Sequence, residues 1–254
     1  MNISAFSRLW HAWTPNGGFV HAAEQIQLGI NPTPHHYSDG QLDDYGHDRV
    51  LRWNAPAMLE LEARFNLPFA DFRGTAGFGW WNDPGGTGTR RLRLPRAAWF
   101  FAASDQTWLE FAPHTPRNGW LAMTLDAATW RFWTMLPFVP IGLMLMQMGW
   151  WRAKLLPVIQ WMVRVQMRSI EHDWTAWHRY RIEWLPESVR CWVDDELVLN
   201  SRWSPHGAMG LVLWVDNQYA IVKPNGVLRG GILDHQTQWL DIRQLNVASN
   251  IPKQ

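Results

Sequence analysis

The stretch of residues 177–199, which reads WHRYRIEWLPESVRCWVDDELVL, decides the fold. In its first half, alternate positions are occupied by His178, Tyr180, Ile182 and Trp184, with charged residues between them. The same period of two continues at Val189, Cys191 and Val193, and the pair Asp194-Asp195 follows as a turn. This alternation predicts successive antiparallel strands that each bury one face.

Similar patterns recur along most of the chain and predict an all-β sandwich. The clearest lies in residues 58–66, where charged residues alternate with Leu59, Leu61, Ala63 and Phe65. Further strands are predicted at 76–81, 97–103, 107–111, 120–125, 197–199, 210–215, 219–223 and 238–247. About eleven strands with short turns favour one sandwich domain spanning residues 1–254.

Composition narrows the classes of protein that this chain belongs to. The 254 residues include 23 Lys and Arg and 22 Asp and Glu, a net charge of +1, so nucleic acid is not an expected partner. An apolar fraction of 47 % is enough for a large core and excludes a disordered chain. The single cysteine, Cys191, excludes an internal disulfide and cysteine-cluster metal sites. The 20 tryptophans are compatible with a packed core, sugar stacking or a membrane interface.

One segment departs from the strand pattern. Residues 127–170 contain five basic and no acidic residues, whereas the remainder has 18 basic against 22 acidic residues. Residues 132–151 are twenty residues without a charge, and an uncharged stretch of this length could cross a bilayer. Pro137, Pro140 and Gly142 disfavour one continuous helix, and strands on both sides belong to the same sandwich, which excludes a single crossing.

The sequence instead predicts a helical insertion over residues 131–170. Helices are predicted at 140–151 and 157–170, with Gln160, Arg164 and Arg168 on one face of the second. Three interpretations stay open: a cap on the sandwich, a lid over a ligand pocket, and a membrane-interface hairpin over 132–170. Because the first 14 residues lack a signal-peptide pattern, a cytoplasmic location is expected, with peripheral membrane attachment open.

The paired strands resemble those of laminarinase-type family-16 glycoside hydrolases. Residues 177–198 are similar to the pattern WH-x-Y-x-IEW-x-P-x-S-I-x-F-x-VDG-x-x-V of that family. Residues 59–68 resemble its EARIKLP strand, and residues 239–247 resemble its last strand. The resemblance covers about half of the chain. It implies a concanavalin A-like jelly roll of two antiparallel sheets, with a concave face that binds a ligand.

The chain also departs from that family. The hydrolases carry a Glu-x-Asp-x-(x)-Glu strand whose carboxylates share one face. The matching region, residues 97–111, has only Asp105 and Glu110 as acids, and their spacing of five puts them on opposite faces of a regular strand. Glu171-His172-Asp173 matches the first part of this motif, but Ala176 occupies the position where the third carboxylate is required. We therefore expect that the ordinary glycosidase chemistry is lost.

Candidate site residues come from polar positions beside predicted strands. Asp216 is the first candidate for a catalytic acid, followed by Asp83 and Glu110. The predicted ligand-binding residues are Trp80, Trp81, Asn82, Trp99, Trp214, Asn217, Gln218 and Tyr219. His35-His36 has no third ligand at a metal-binding spacing, so no metal or other cofactor is expected.

These features predict a protein with a covered aromatic pocket for a small apolar molecule, such as a terpenoid or another lipid. A carboxylic acid in such a pocket would keep its proton, and tryptophan faces would stabilise a carbocation, as a cyclase, isomerase or hydratase requires. The alternatives are a carrier without chemistry, a glycan- or glycolipid-binding relative of the glucanases, and a hydrolase with relocated carboxylates.

Overall fold

The strands from His178 to Ser201 follow the predicted alternation closely. A computed structural model describes residues 9–84, 93–110, 115–145, 148–223 and 227–249. Its strands are β1 His11–Trp13, β2 Gly18–Ala22, β3 Ile26–Ile30, β4 Asp39–Asp43, β5 Ala57–Phe65, β6 Thr75–Trp81, β7 Arg96–Ala103, β8 Trp108–Leu109, β9 Gly119–Asp126, β10 Gln166–Ser169, β11 His178–Trp184, β12 Val189–Val193, β13 Glu196–Ser201, β14 Gly210–Asp216, β15 Gln218–Val222, β16 Leu228–Ile232 and β17 Gln238–Ser249. Its α-helices are α1 Trp130–Met135, α2 Val139–Leu145 and α3 Gly149–Val163, with 3₁₀ turns at Phe69–Asp71 and Leu136–Phe138.

Two seven-stranded antiparallel sheets form the sandwich. Sheet A has the order β1-β4-β14-β6-β7-β9-β10, and sheet B has the order β13-β12-β11-β5-β17-β3-β2. In sheet B, Tyr180 lies between Leu61 of β5 and Val193 of β12, the pairing expected from the alternation. Asp194 and Asp195 both have positive φ, which matches the twist of a two-residue hairpin. The prediction of an all-β jelly roll is confirmed.

The core lies between the two sheets and is dominated by aromatic side chains. Phe78 and Phe100 of sheet A contact Tyr180 of sheet B, with ring centroids 5.2 and 5.0 Å apart. Trp80 packs on Trp184 at 5.5 Å. Burying each such side chain contributes about 1.5–3 kcal/mol, so this layer is the main source of stability.

The outer face of sheet A carries a second apolar cluster, and this cluster positions the candidate site. Trp99 and Trp214 belong to it, together with Val212 and Met123. Val163, at the end of α3, and the buried Val165 and Met167 pack over its β9 side. The remaining part of the face, across β4, β14, β6 and β7, is open as a groove.

The helical segment differs from its prediction in the bounds of its helices. The predicted helices at 140–151 and 157–170 both have wrong bounds: α2 ends at Leu145, and α3 begins at Gly149, contains Pro157 and ends at Val163. Arg164 adopts the left-handed conformation with φ of 47°, which ends the helix. Residues Gln166–Ser169 then pair with β9 as an edge strand, because this satisfies the backbone groups of β9. Gln160, Arg164 and Arg168 therefore do not share a helix face.

Candidate functional site

A groove of about 580 Å³ lies on the outer face of sheet A. This volume is within the range of about 300–1,000 Å³ that ligand sites usually have. The groove has an aromatic floor on β6, β7 and β14 and a polar end on β4 and β14. Trp13 of β1 and Asp83, which follows β6, also line it.

The aromatic floor is a set of indole and phenyl rings in mutual contact. Trp99 stacks on Trp81 with a centroid distance of 4.6 Å and an interplanar angle of 24°. The Phe101 ring also stacks on Trp99, with ring centroids 5.5 Å apart, and the centroid of the Trp214 ring lies 5.1 Å from that of Trp99. These are the stacked and tilted arrangements that aromatic pairs favour, so the rings support one another in the floor.

Two glycines of β6 leave room for these rings. A Cβ atom added at Gly77 would lie 2.8 Å from the ring of Trp214, and one added at Gly79 would lie 2.6 Å from the Cβ of Trp99. Gly79 also has φ of 147°, a conformation that side-chain-bearing residues rarely adopt. The spacing of the two glycines therefore lets large rings lie across the middle of a strand.

Two carboxylates face each other at the polar end of the groove. Asp216 of β14 is the direct cross-strand partner of Asp39 of β4. Directly opposite residues have Cβ atoms about 4.5–5.5 Å apart, so the two carboxyl groups are close enough to interact strongly. Both side chains are buried, although both line the groove.

Asp216 accepts three hydrogen bonds on one oxygen. The donors to its Oδ1 are the backbone N–H of Thr75 at 3.1 Å, the Thr75 hydroxyl at 2.8 Å and the backbone N–H of Gln218 at 3.0 Å. Trp214 in turn donates from Nε1 to the Thr75 hydroxyl at 3.1 Å. Burial raises the pKa of Asp216 to about 7, and these hydrogen bonds oppose the rise.

Asp39 has less compensation for its burial. The Tyr37 hydroxyl donates to its Oδ2 at 2.7 Å, while its Oδ1 has no hydrogen-bond partner among the described residues. Burial, followed by the charge of Asp216, raises the pKa of Asp39 well above its usual range. Two such carboxyls cannot both ionise without a large cost, so at neutral pH the pair retains a proton.

The structure brings six of the eleven predicted site residues together in this groove. They are Trp81, Asp83, Trp99, Trp214, Asp216 and Gln218. Trp80 instead faces the core and is fully buried. Glu110 accepts a hydrogen bond from Trp108 Nε1 at 3.0 Å beside the small sheet of β8, β15 and β16. Tyr219 lies in that same sheet, with its ring over Gly231.

The two predicted asparagines hold loops in place. Asn82 donates to the carbonyl of Leu94 at 2.8 Å and accepts from the N–H of Arg96 at 2.9 Å. Asn217 donates to the carbonyl of His36 at 2.9 Å and accepts from the N–H of Ser38 at 2.9 Å. These bonds use both ends of each amide, and neither residue lines the groove.

The sequence reasoning missed four residues of the polar end: Tyr37, Asp39, Gln41 and Thr75. Their signal was present, because Asp39, Gln41 and Asp43 alternate with Gly40 and Leu42 and so share one face of a strand. Within the described residues, no group of three or more His, Cys, Asp or Glu side chains is arranged to hold a metal ion.

Comparison with known proteins reveals likeness of structure without likeness of sequence. No family model matches the chain, and no curated protein matches it either. A family-16 endo-glucanase from Bacteroides ovatus superposes with a TM-score of 0.53 at 9 % identity, covering 95 % of each chain. A Bacillus licheniformis β-glucanase gives 0.51 at 10 % identity, covering 96 % of this chain and 94 % of that one.

The likeness also extends to a lectin-like domain. A legume lectin-like domain from Entamoeba histolytica superposes with a TM-score of 0.51 at 9 % identity, covering 98 % of this chain and 94 % of that one. At these identities the likeness concerns the fold alone. The chain has the concanavalin A-like jelly-roll fold that these glucanases and this lectin-like domain share.

Proposed function

We propose that the groove binds a glycan and that Asp39 and Asp216 cleave a glycosidic bond in it. The observation that carries this proposal is a pair of facing carboxyl groups, in unequal environments, at one end of an aromatic floor. A sugar ring offers apolar C–H faces to tryptophan and hydroxyls to polar groups. The groove supplies both: Trp81, Trp99 and Trp214 on the floor, and Tyr37, Gln41 and Gln218 at the polar end.

The unequal environments assign the two carboxyls to different roles. Asp216, with three donors on Oδ1, is the better stabilised anion and is assigned as the nucleophile. Asp39, which has one donor and an Oδ1 without a partner among the described residues, keeps the shared proton and is assigned as the acid. All three bonds to Asp216 use Oδ1, so they leave its Oδ2 available for attack.

The spacing favours a retaining reaction. Cross-strand neighbours have Cβ atoms about 4.5–5.5 Å apart, which suits the roughly 5–5.5 Å between the carboxyls of retaining glycosidases better than the roughly 6.5–9.5 Å of inverting ones. Asp216 would attack the anomeric carbon while Asp39 gives its proton to the departing glycosidic oxygen. Water would then cleave the glycosyl ester, with Asp39 taking the proton from that water. This is the hydrolase with relocated carboxylates, because the pair lies on β4 and β14.

A direct test is the release of reducing ends from a panel of β-glucans and galactans by the purified chain. We expect Asp39→Asn and Asp216→Asn each to lower turnover by about 10²–10⁴-fold, the usual contribution of a positioned acid or base. Asp105→Asn is the matched control, because that carboxylate is exposed and lies outside the groove. Tryptophan fluorescence that responds to oligosaccharides without any cleavage would support glycan binding and contradict the catalytic assignment.

Acid-catalysed conversion of an apolar substrate is the second candidate, favoured by the proton retained beside the aromatic floor. This second candidate function also depends on Asp216. Organic extraction of the purified protein followed by mass spectrometry distinguishes the two candidates. A stoichiometric apolar compound, combined with no response to any glycan, would favour this second function.

A further inference from the structure

The helical segment, defined as Trp130–Val163, carries most of the exposed large apolar side chains of the described chain. Nine of the fifteen such residues lie in it. Four are tryptophans: Trp130, Trp133, Trp150 and Trp161 are 68, 60, 55 and 44 % exposed. Large apolar side chains are seldom exposed in such number within one short segment of a monomer, and exposed apolar surfaces mark contacts with a partner or a membrane.

The charge of the segment favours a membrane over a protein partner. Residues 127–170 hold five basic residues and no acidic ones, although the rest of the chain is net acidic. Two of the cations lie against the exposed rings: the Arg131 guanidinium is 4.5 Å from the Trp161 ring centroid, and Lys154 Nζ is 4.9 Å from that of Trp150. Tryptophan interleaved with uncompensated cations is the composition that favours an anionic lipid surface.

Helix length determines how the segment would contact a bilayer. No helix of the described residues is long and apolar enough to cross a membrane. The longest in the segment, α3, has 15 residues, which extend about 22 Å against a hydrocarbon core of about 30 Å. A segment of this kind lies in the interface, with its apolar side chains below the phosphates and its cations at their level.

A basic cavity adjoins this apolar surface. Trp133 lines a cavity of about 540 Å³ together with Arg49, Arg93 and Arg96. Arg96 is held by Asp126, with 3.5 Å between Nε and Oδ1. Guanidinium groups suit phosphate geometry well, and here three of them lie beside an indole exposed to solvent. The apolar surface and the basic cavity therefore match two successive depths of an anionic bilayer.

We propose that the helical segment docks this protein on the surface of a bilayer containing anionic phospholipids. Trp133 and Trp150 enter the acyl boundary, while Arg131, Lys154 and the arginines of the basic cavity contact lipid phosphates. The proposal concerns a different surface from the groove and holds whatever the groove binds.

Vesicle sedimentation with the full chain tests the proposal. We use vesicles of phosphatidylcholine alone and vesicles with about 30 % phosphatidylglycerol, each at low and high salt. The chain is expected to bind the anionic vesicles at least about tenfold more tightly than the neutral ones, and salt is expected to weaken that binding. The double variant Trp133→Ser, Trp150→Ser should lose at least about tenfold in partitioning, because both rings leave the interface.

Two controls distinguish docking from general stickiness. Leu228→Ser removes an apolar side chain that is 77 % exposed but lies on β16, outside the segment, and should leave partitioning unchanged. Lys154→Glu should weaken binding to anionic vesicles, whereas Arg190→Glu, an exposed position on β12, should not. All of these side chains are exposed, so we expect every variant to fold. An unchanged Tm shows that a loss of vesicle binding is not a loss of the fold.

Three results would overturn the proposal. The first is the absence of vesicle binding by the unmodified chain. The second is binding that is equal in the tryptophan double variant and in Leu228→Ser. The third is a concentration-dependent dimer that the tryptophan double variant abolishes while vesicles stay unbound, since this assigns the surface to a second copy of the chain.

Discussion

Trp80 and Trp81 are adjacent on β6 and lie in opposite environments. Trp80 faces sheet B, is fully buried and packs on Trp184. Trp81 faces the other way, stacks on Trp99 and lines the groove. The two faces of sheet A thus use the same residue type differently. The inner face seals a core, whereas the outer face combines aromatic rings with the carboxyl groups of Asp39 and Asp216.

The largest expected effect is a difference in stability between alanine variants of the two tryptophans. Trp80→Ala should lower the free energy of unfolding by about 3–5 kcal/mol, because it leaves a cavity between the sheets. Trp81→Ala should cost much less, since that ring borders an open groove. Denaturant unfolding of both variants measures the difference. Equal losses would mean that the outer rings contribute to stability as much as the core does.

The second test uses pH. Burial raises the pKa of Asp216 to about 7, whereas an unfolded aspartate titrates near 3.9. The folded state therefore binds more protons than the unfolded state between these values. The contribution of this group to stability should be fully present below about pH 4 and should be lost as pH rises through about 7.

The matched variant for that measurement is Asp216→Asn, which retains an Oδ1 to accept the three hydrogen bonds. We expect it to flatten the decline in unfolding free energy between about pH 4 and 8. Asp105→Asn, an exposed carboxylate, should leave the decline as it is. A decline of the same size in Asp216→Asn would assign it to other groups, such as Asp44, whose pKa burial raises to about 6.

The contrast between the faces also explains what the sequence could predict. A period of two identifies a strand, so β5, β11 and β12 were predictable within about two residues. The same period states that Trp80 and Trp81 face opposite sides, but it does not state which side is the core. That depends on which strands are neighbours in the sheet. Both tryptophans were therefore assigned to the ligand, and only Trp81 lines the groove.

For a related reason, only one of the two carboxyls at the polar end of the groove could be predicted from the sequence. Asp216 follows a strongly apolar strand, and its position at the end of that strand is visible in the sequence. Its partner Asp39 lies 177 residues away, and only the pairing of β14 with β4 brings the two together. Residues Gln166–Ser169 were assigned to a helix because four residues after a helix are too few to reveal an edge strand.

A smaller effect is expected on ligand affinity. Trp81→Ala should weaken binding of a responsive oligosaccharide by up to about tenfold, the equivalent of losing one aromatic stacking contact. Trp161→Ala removes an exposed ring of the helical segment and should leave the affinity unchanged. Isothermal titration calorimetry measures both. If the two variants bind alike, the floor at Trp81 is not the glycan platform.

The smallest expected effect concerns one hydroxyl. Thr75→Val preserves shape but removes the group that donates to Asp216 Oδ1 and accepts from Trp214 Nε1. The loss of a donor to the anion should raise the pKa of Asp216 further and lower stability above pH 7 by about 1–2 kcal/mol. Below about pH 6 the folded carboxyl is protonated in both proteins, so the part of the difference that comes from the anion should vanish there, whereas the cost of removing the acceptor of Trp214 Nε1 should remain at every pH.

Thr107→Val is the counterpart of Thr75→Val, and the pair sharpens the comparison. Thr107 is also buried, but its hydroxyl has no hydrogen-bond partner among the described residues. Replacing an unsatisfied buried hydroxyl with a methyl group should be neutral or stabilising at every pH. Between pH 4 and 8, the loss of unfolding free energy relative to the unmodified protein should therefore grow with pH for Thr75→Val and stay constant for Thr107→Val. Parallel curves would mean that the Thr75 hydroxyl does not stabilise the Asp216 anion, which would remove the physical basis for assigning Asp216 as the nucleophile.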